Sequence, residues 1–367
     1  MKKVICSAIL VASVLAVSTV ASARDYISIV GSSTVYPFST VVAERFGKTT
    51  DFASPKVEAT GSGGGLKLFC SGVGESTPDM TNSSRAIKSS EVELCANNGV
   101  TQIKEVLVGY DGIVIANANE AAAFSLTRKD VFLALAKQTP NAKGKLVDNP
   151  YTTWDEVNSS LPAIKIEVLG PPPTSGTRDA FVELAMEPGA AMVDSLAQLK
   201  SAKAGPETMG MLMTLGIAAG VATTYEEKNG KAPAGLNIFT QVAHAIREDG
   251  AFIEAGENDN LIVQKLVANP SALGIFGFSF LEENADKVKG ALIDGTPPTF
   301  EAIASSEYPV SRPLYFYVKQ AHVGTILGMQ EYVDLFLSDA ASGEDGFLLD
   351  RGLIPVDAGE TRVQIIK

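Results

Sequence analysis

Three times along the chain an apolar run halts at a knot of glycine and small hydroxyl residues, and an amphipathic stretch then begins. The segments are "YISIVGSSTVYPFSTVVAERF" (26–46), "KVEATGSGGGLKLF" (56–69) and "IKIEVLGPPPTSGTRDAF" (164–181). In the first, Tyr26, Ile27, Ile29 and Val30 read as a strand, and Phe38, Val41, Val42 and Phe46 recur at helical spacing. In the third, Ile164 to Leu169 supplies the strand. Pro171, Pro172 and Pro173 cannot lie inside a helix, so the chain arrives there stiff and extended. Strand, small polar loop, helix, repeated, predicts an α/β protein with its loops at the carboxyl ends of parallel strands.

A helix start carries N–H groups without intrahelical partners and a partial positive charge, which suits an anion. Ser33, Thr34, Ser62, Ser175 and Thr177 would add hydroxyls at three such starts. Any one of them alone is more often an ordinary N-cap. Their three-fold recurrence favours a bound oxyanion. Arg178 follows Ser175-Gly176-Thr177 directly, and Arg85 lies in "DMTNSSRAIK"; each could bring a directional charged donor or form a surface ion pair.

The overall charge opposes such a site. The chain begins Met1-Lys2-Lys3, followed by an apolar run from Val4 to Val20 and then Ala21-Ser22-Ala23. That order predicts a signal peptide, residues 1–23, cleaved after Ala23. Its removal takes two lysines and no acid, moving the formal net charge from −12 to −14. So acidic a chain repels nucleic acid and anionic membranes, and an anion must be held by local donors. "MGMLMTLGIAAGVATT" (209–224) is too short to span a bilayer and suits a buried helix or strand pair. Cys70 and Cys95 remain after cleavage; in an exported protein they most simply pair, two buried thiols being the alternative.

Catalytic signatures are missing. The two histidines, His244 and His322, stand in unrelated contexts, and neither H-E-x-x-H nor G-x-S-x-G occurs. Gly61 to Gly65 lacks the Lys-Ser/Thr ending of a nucleotide-binding loop. No enzyme activity, cofactor or metal is therefore expected. "VLVGYDGIVIANA" (106–118) reads as a strand pair broken at Gly109-Tyr110-Asp111-Gly112, a candidate crossing between lobes. "SALGIFGFSFLEENADKVKG" (271–290) reads as a second crossing, after a helix ended by Pro270.

In order, "GSSTVYP", "GSGGG", "DMTNSSRAIK", "SGTRDAF" and "NPSALGIFGFSFLEEN" resemble the phosphate-binding proteins of bacterial phosphate-specific ABC transporters, across essentially the whole mature chain. The resemblance implies a two-lobed periplasmic-binding-protein (Venus-flytrap) fold, each lobe a mixed sheet flanked by helices, joined by a hinge. It implies inorganic phosphate captured in the interlobe cleft, a periplasmic setting, a membrane permease as partner, and no chemistry on the ligand. A monomer is expected. Domain I would be 24–109 plus 271–367, and domain II 110–270.

Carried over by motif, Thr34 and Val35 match the first phosphate loop, Ser62 the second, and Ser175, Gly176 and Thr177 the third. Two positions depart from the family pattern. Ser84 stands where members carry an Asp that accepts the proton of hydrogen phosphate, and Pro171 where they carry an Arg. Arg85 and Arg178 are the candidates to replace the guanidinium. Asp111 and Asp259 are candidates to replace the acceptor, with N-cap of the helix "NLIVQKL" the plainer reading of Asp259. Without an acceptor, discrimination against sulfate would be lost. A receptor for sulfate or a phosphonate is the alternative, and a secreted phosphatase-like hydrolase a more distant one.

Overall fold

The computed structural model describes residues 24–256, 258–357 and 359–367, so the signal-peptide expectation lies outside the described residues. All three strand–loop–helix units form. They are β1 (Ser28–Gly31) with α1 (Tyr36–Thr49), β2 (Lys56–Ala59) with α2 (Ser62–Phe69), and, further along, a strand at Val168–Gly170 with a helix from Gly176. The last strand is shorter than the apolar run at 164–169 suggested. Ile166 lies outside it, with its N–H bonded to Thr152 O at 2.9 Å.

Close approach explains the glycines in the first two loops. A Cβ on Gly31 would fall 2.1 Å from the carbonyl oxygen of Asn82, at the end of β3 (Met80–Ser83). One on Gly65 would fall 2.4 Å from Gly31 Cα, so α2 seats directly on the end of β1. Inside α1, Phe38, Val42, Ala43 and Phe46 recur on one face and are buried, as the helical period requires.

One long strand organises the rest. β4 runs unbroken from Ile103 to Ala118, not as the strand pair the sequence suggested. The glycine at 109 makes room instead of a turn: a Cβ there would lie 2.5 Å from Ile354 O, and Tyr110 exchanges backbone hydrogen bonds of 2.8 and 3.0 Å with Ile354. The later strands are β5 (Val168–Gly170), β6 (Phe252–Glu254), β7 (Leu273–Gly277), β8 (Val288–Gly290), β9 (Ser311–Lys319) and β10 (Val363–Ile366). They join one ten-stranded sheet in the order β2-β1-β3-β9-β4-β7-β5-β6, with β8 and β10 also on β4. β1 is parallel to β2 and β3, and β5 is parallel to β6 and β7, while β9 and β7 run antiparallel to β4. The architecture is thus mixed α/β, a sheet flanked by helices.

Two large cores flank this sheet. One gathers Ile27, Phe46, Phe316, Phe336 and Leu353; the other gathers Phe132, Trp154, Phe239, Phe276 and Tyr308. β4 feeds both, Val106 and Val108 entering the first and Ile113 to Ala116 the second. Residues from Ala272 to Val310 also pack in the second core, and β7 pairs with Ile113 to Ala116. After this stretch the first core is next joined by Leu314, Phe316 and Val318 on β9. The alternation in "SALGIFG" identified a strand without revealing its partner.

The stretch 209–224 forms parts of two helices, Pro206–Leu215 and Gly220–Asn229. Among the described residues no helix is long and apolar enough to cross a membrane. Cys70 and Cys95 are joined by a disulfide, which ties the end of α2 to the helix Ser89–Asn97 over a small cluster of Leu66, Phe69, Val100 and Tyr317.

Candidate ligand-binding cleft

A cleft of about 480 Å³ opens where the first and third loops meet. Thr34 lines it from the first loop, and Ser175, Gly176 and Thr177 from the third, with Asp111, Asp259 and the Asp350–Gly352 segment completing the wall. The two loops nearly touch. A Cβ on Gly176 would sit 3.9 Å from Ser33 O, and the Ser33 hydroxyl lies close enough to the Asp179 carboxyl to oppose the rise in its pKa.

Local chemistry shapes each loop. Ser32 Oγ accepts from the N–H of Thr34 at 3.2 Å and of Val35 at 3.4 Å, curling the chain into α1. Val35 itself is fully buried and anchors the loop in the first core. In the third loop Ser175 caps α3 (Gly176–Phe181), its Oγ accepting from Thr177 N at 3.2 Å. α3 continues through a π turn, Val182–Met186, and then Glu187–Ala191. Such wide turns are frequent at functional sites, and this one carries Glu183.

Beneath the cleft lies Arg312, on β9. Its guanidinium donates from Nη2 to Thr34 Oγ1 at 2.5 Å, from Nη1 to Glu183 Oε2 at 2.5 Å, and from Nε to Asp111 Oδ2 at 3.4 Å. One buried cation thus ties the first loop, the middle of β4 and the third helix together. Neither Arg312 nor Glu183 stands in any of the loop motifs. A signal was present: Arg312 is in phase with buried Leu314, Phe316 and Val318, and a charge on the apolar face of a strand demands partners.

The acids around the cleft are strained toward their neutral forms. Burial pushes the Asp111 carboxyl up, Arg312 opposes it, and the nearby Glu183 charge adds to it. Burial raises Asp259 to about 6, against the Gly277 N–H that its Oδ2 accepts at 3.0 Å, and Asp111 raises it further. Burial and Glu183 raise Asp179 as well. Asp259 is not the N-cap of its helix. Asn258 takes that role, accepting from Asn260 N at 3.0 Å, and leaves Asp259 at the first turn of α4 (Asp259–Ala268), facing the cleft.

Other expected site residues go elsewhere. Ser62 Oγ lies 3.2 Å from Ser84 Oγ and accepts from Ser84 N at 3.1 Å, and neither residue is on the cleft wall. Arg85 forks onto Glu91 at 2.8 and 2.9 Å, and its Nη1 also donates to Ala86 O at 3.0 Å. Arg178 points away: it donates to Pro171 O at 3.2 Å, stacks its guanidinium 4.5 Å over the Phe252 ring, and lines a separate hollow with Lys137 and His244. One residue past Thr177, the helix has turned it by about 100°. Neither histidine lines the cleft; His244 faces Glu187 at 3.2 Å and His322 faces Asp79 at 2.6 Å.

The family model for the PBP superfamily domain matches residues 16–340. The chain belongs to the PBP superfamily. Among individual relatives, SphX of Synechococcus elongatus is 26% identical over 92% of this chain and 81% of its own length. The phosphate-binding protein PstS of Staphylococcus saprophyticus is 27% identical over 87% and 78%. A solved structure of a possible phosphate binding protein from Planctomyces limnophilus aligns with a TM-score of 0.63 at 25% identity, over 90% of this chain and 93% of that one. PstS from Borrelia burgdorferi aligns at 0.54 and 17% identity over 91% and 100%, a likeness of fold. The superfamily and these neighbours make the fold the two-lobed periplasmic-binding type.

Proposed function

We propose that this protein is a periplasmic receptor that captures inorganic phosphate in the cleft and hands it to an ABC permease. The observation that carries the reading is the meeting of Thr34 with Ser175–Thr177 over the buried Arg312 guanidinium. Relatives named as phosphate-binding proteins support it. The Thr34 hydroxyl accepts from Arg312, so its own proton is left to donate to an anion. The Gly176 and Thr177 region adds hydroxyl and helix-start donors. Arg312 supplies the guanidinium that the sequence assigned to Arg85 or Arg178.

The lobes in this reading are 24 to about 110 with about 311 to 367, and about 113 to 310, hinged at β4 and β9. Their separate cores support the division. Closure would bury the anion among donors that offset its lost hydration. The protein would act as a monomer and hold its ligand unchanged in a cleft walled by hydroxyls, carboxyls and Arg351.

Asp111 and Asp259 favour phosphate over sulfate. Near neutral pH phosphate still carries a proton to donate to a carboxylate, whereas sulfate carries none and meets only repulsion. Calorimetric titration of the stripped mature protein with phosphate, then with sulfate as competitor, tests the proposal. Tight phosphate binding that sulfate leaves untouched is expected. Equal affinity for sulfate would overturn the selectivity, turnover of a chromogenic phosphate ester would revive a hydrolase, and absence of phosphate binding would overturn the reading altogether.

A further inference from the structure

The three partners of Arg312 differ in how firmly they are held. The Arg312 side chain is 7% exposed and Asp111 13%, both locked into the sheet on neighbouring strands, while Glu183 is 51% exposed. Glu183 reaches Arg312 from the π turn that follows α3, with one carboxylate oxygen at 2.5 Å from Nη1. Its carboxylate is thus an anion bonded to the Arg312 guanidinium beneath the cleft, beside the loop that carries Thr34. A half-solvated side chain can withdraw into water at small cost, whereas Asp111 cannot.

Charge balance points the same way. Two carboxylates against one guanidinium leave the Arg312 cluster with an excess negative charge, and Asp259 and Asp179 lie within electrostatic reach of it. An incoming oxyanion meets that excess. If Glu183 leaves as the anion arrives, one negative charge departs as another enters, and the Arg312 Nη1 donor is freed for the ligand.

We infer that Glu183 is an internal stand-in for the ligand: it occupies Arg312 in the empty protein and is displaced by the bound oxyanion, thereby setting the affinity. This rests on the oxyanion-receptor reading above. Glu183 is then an affinity-determining residue that never contacts the ligand, and it weakens binding while keeping the buried cation paired in the empty state.

The test is calorimetric titration of the stripped wild type, Glu183→Gln and Glu183→Ala with inorganic phosphate at neutral pH. Removing a competitor whose pair contributes about one charge-assisted bond should tighten binding roughly tenfold in both variants. The empty variants should also melt below the wild type, and saturating phosphate should close that gap. Wild-type binding with unchanged or weaker affinity in both variants would overturn the inference while leaving the receptor intact. Absence of phosphate binding by all three proteins would overturn both.

Discussion

Arg312 Nη2 donates to Thr34 Oγ1 at 2.5 Å across 278 residues of chain, joining the first loop to the strand that closes the first core. That bond places the only guanidinium bonded to a cleft-lining hydroxyl among the described residues beneath the floor, where its charge is screened little by solvent.

Arg312→Ala is therefore expected to do two things at once. Phosphate affinity should fall at least about 100-fold, the scale for removing one partner of a buried charged hydrogen bond. The protein should also lose stability, by about 3 kcal/mol, because Asp111 is left buried without its cation. Arg312→Lys should restore part of the stability and little of the affinity, since a single ammonium cannot reproduce the fork. Calorimetry and chemical denaturation of the same preparations check both limbs; wild-type affinity in Arg312→Ala would remove the residue from the site.

Asp259 offers a pH test with a definite sign. Its folded value is raised to about 6 from an ordinary 3.8, so between those values the native state holds a proton that the unfolded chain releases. Stability from this group thus falls as pH rises from about 4 to about 6 and stays lowered above. Asp259→Asn keeps an oxygen to accept from Gly277 and removes the charge facing Asp111. It should be more stable than wild type at pH 7, with the gap closing by pH 4. A pH-independent difference in melting temperature would contradict the assignment.

The loops were legible in the sequence because glycine and small hydroxyl clusters after apolar runs have a local cause. Gly31 and Gly65 are where backbone meets backbone, and Ser175 is where a helix needs a cap. The disulfide was legible from export and count. The phase of Arg312 with Leu314, Phe316 and Val318 asks for partners, but which ones was not legible, nor was Glu183, because those partners lie 278 and 129 residues away and no local pattern carries such a distance. The packing of Ala272 to Val310 in the second core was hidden for the same reason: strand pairing of Leu273–Gly277 with β4 is a non-local fact.

Arg178 illustrates the cost of reading a motif by adjacency. With its guanidinium over Phe252 and a bond to Pro171 O, it stiffens the proline-rich approach to Ser175 without facing the cleft. Arg178→Ala should change phosphate affinity by less than about tenfold, through the looser loop, on the scale of a single partly buried cation–π contact and hydrogen bond. A loss comparable to that of Arg312→Ala would return Arg178 to the site.

The bridge between Cys70 and Cys95 spans 25 residues and lies over its own small core, at the far end of α2 from Ser62. Replacing both cysteines with serine should cost roughly 3–4 kcal/mol by loop entropy. Phosphate affinity should stay within about threefold, since a distant and independent change adds little to binding. Equilibrium denaturation and titration of the double variant measure the two quantities; unchanged stability would show the bridge to be energetically idle.

His322 supplies the opposite pH limb from Asp259. Its Nε2 accepts from Gly74 N at 2.9 Å, and so must be unprotonated, while Nδ1 donates to the buried Asp79 at 2.6 Å. Asp79 also pairs with Arg24, so the imidazole belongs to a network that ties down the start of the described chain. Burial holds the ring below its ordinary 6.5, with Lys319 pushing the same way and Asp79 opposing. The unfolded chain then binds a proton that the native state refuses, so stability is full above about pH 6.5 and drains as pH falls through the lowered folded value. Protonation would set a new N–H against the Gly74 N–H, and the loop at Gly72–Thr77 would have to open. His322→Gln should lower stability at neutral pH and flatten the decline below pH 6.5. Denaturation midpoints measured from pH 7.5 to 4.5 decide it, and an acid slope identical to that of the wild type would mean that His322 is not the group that titrates.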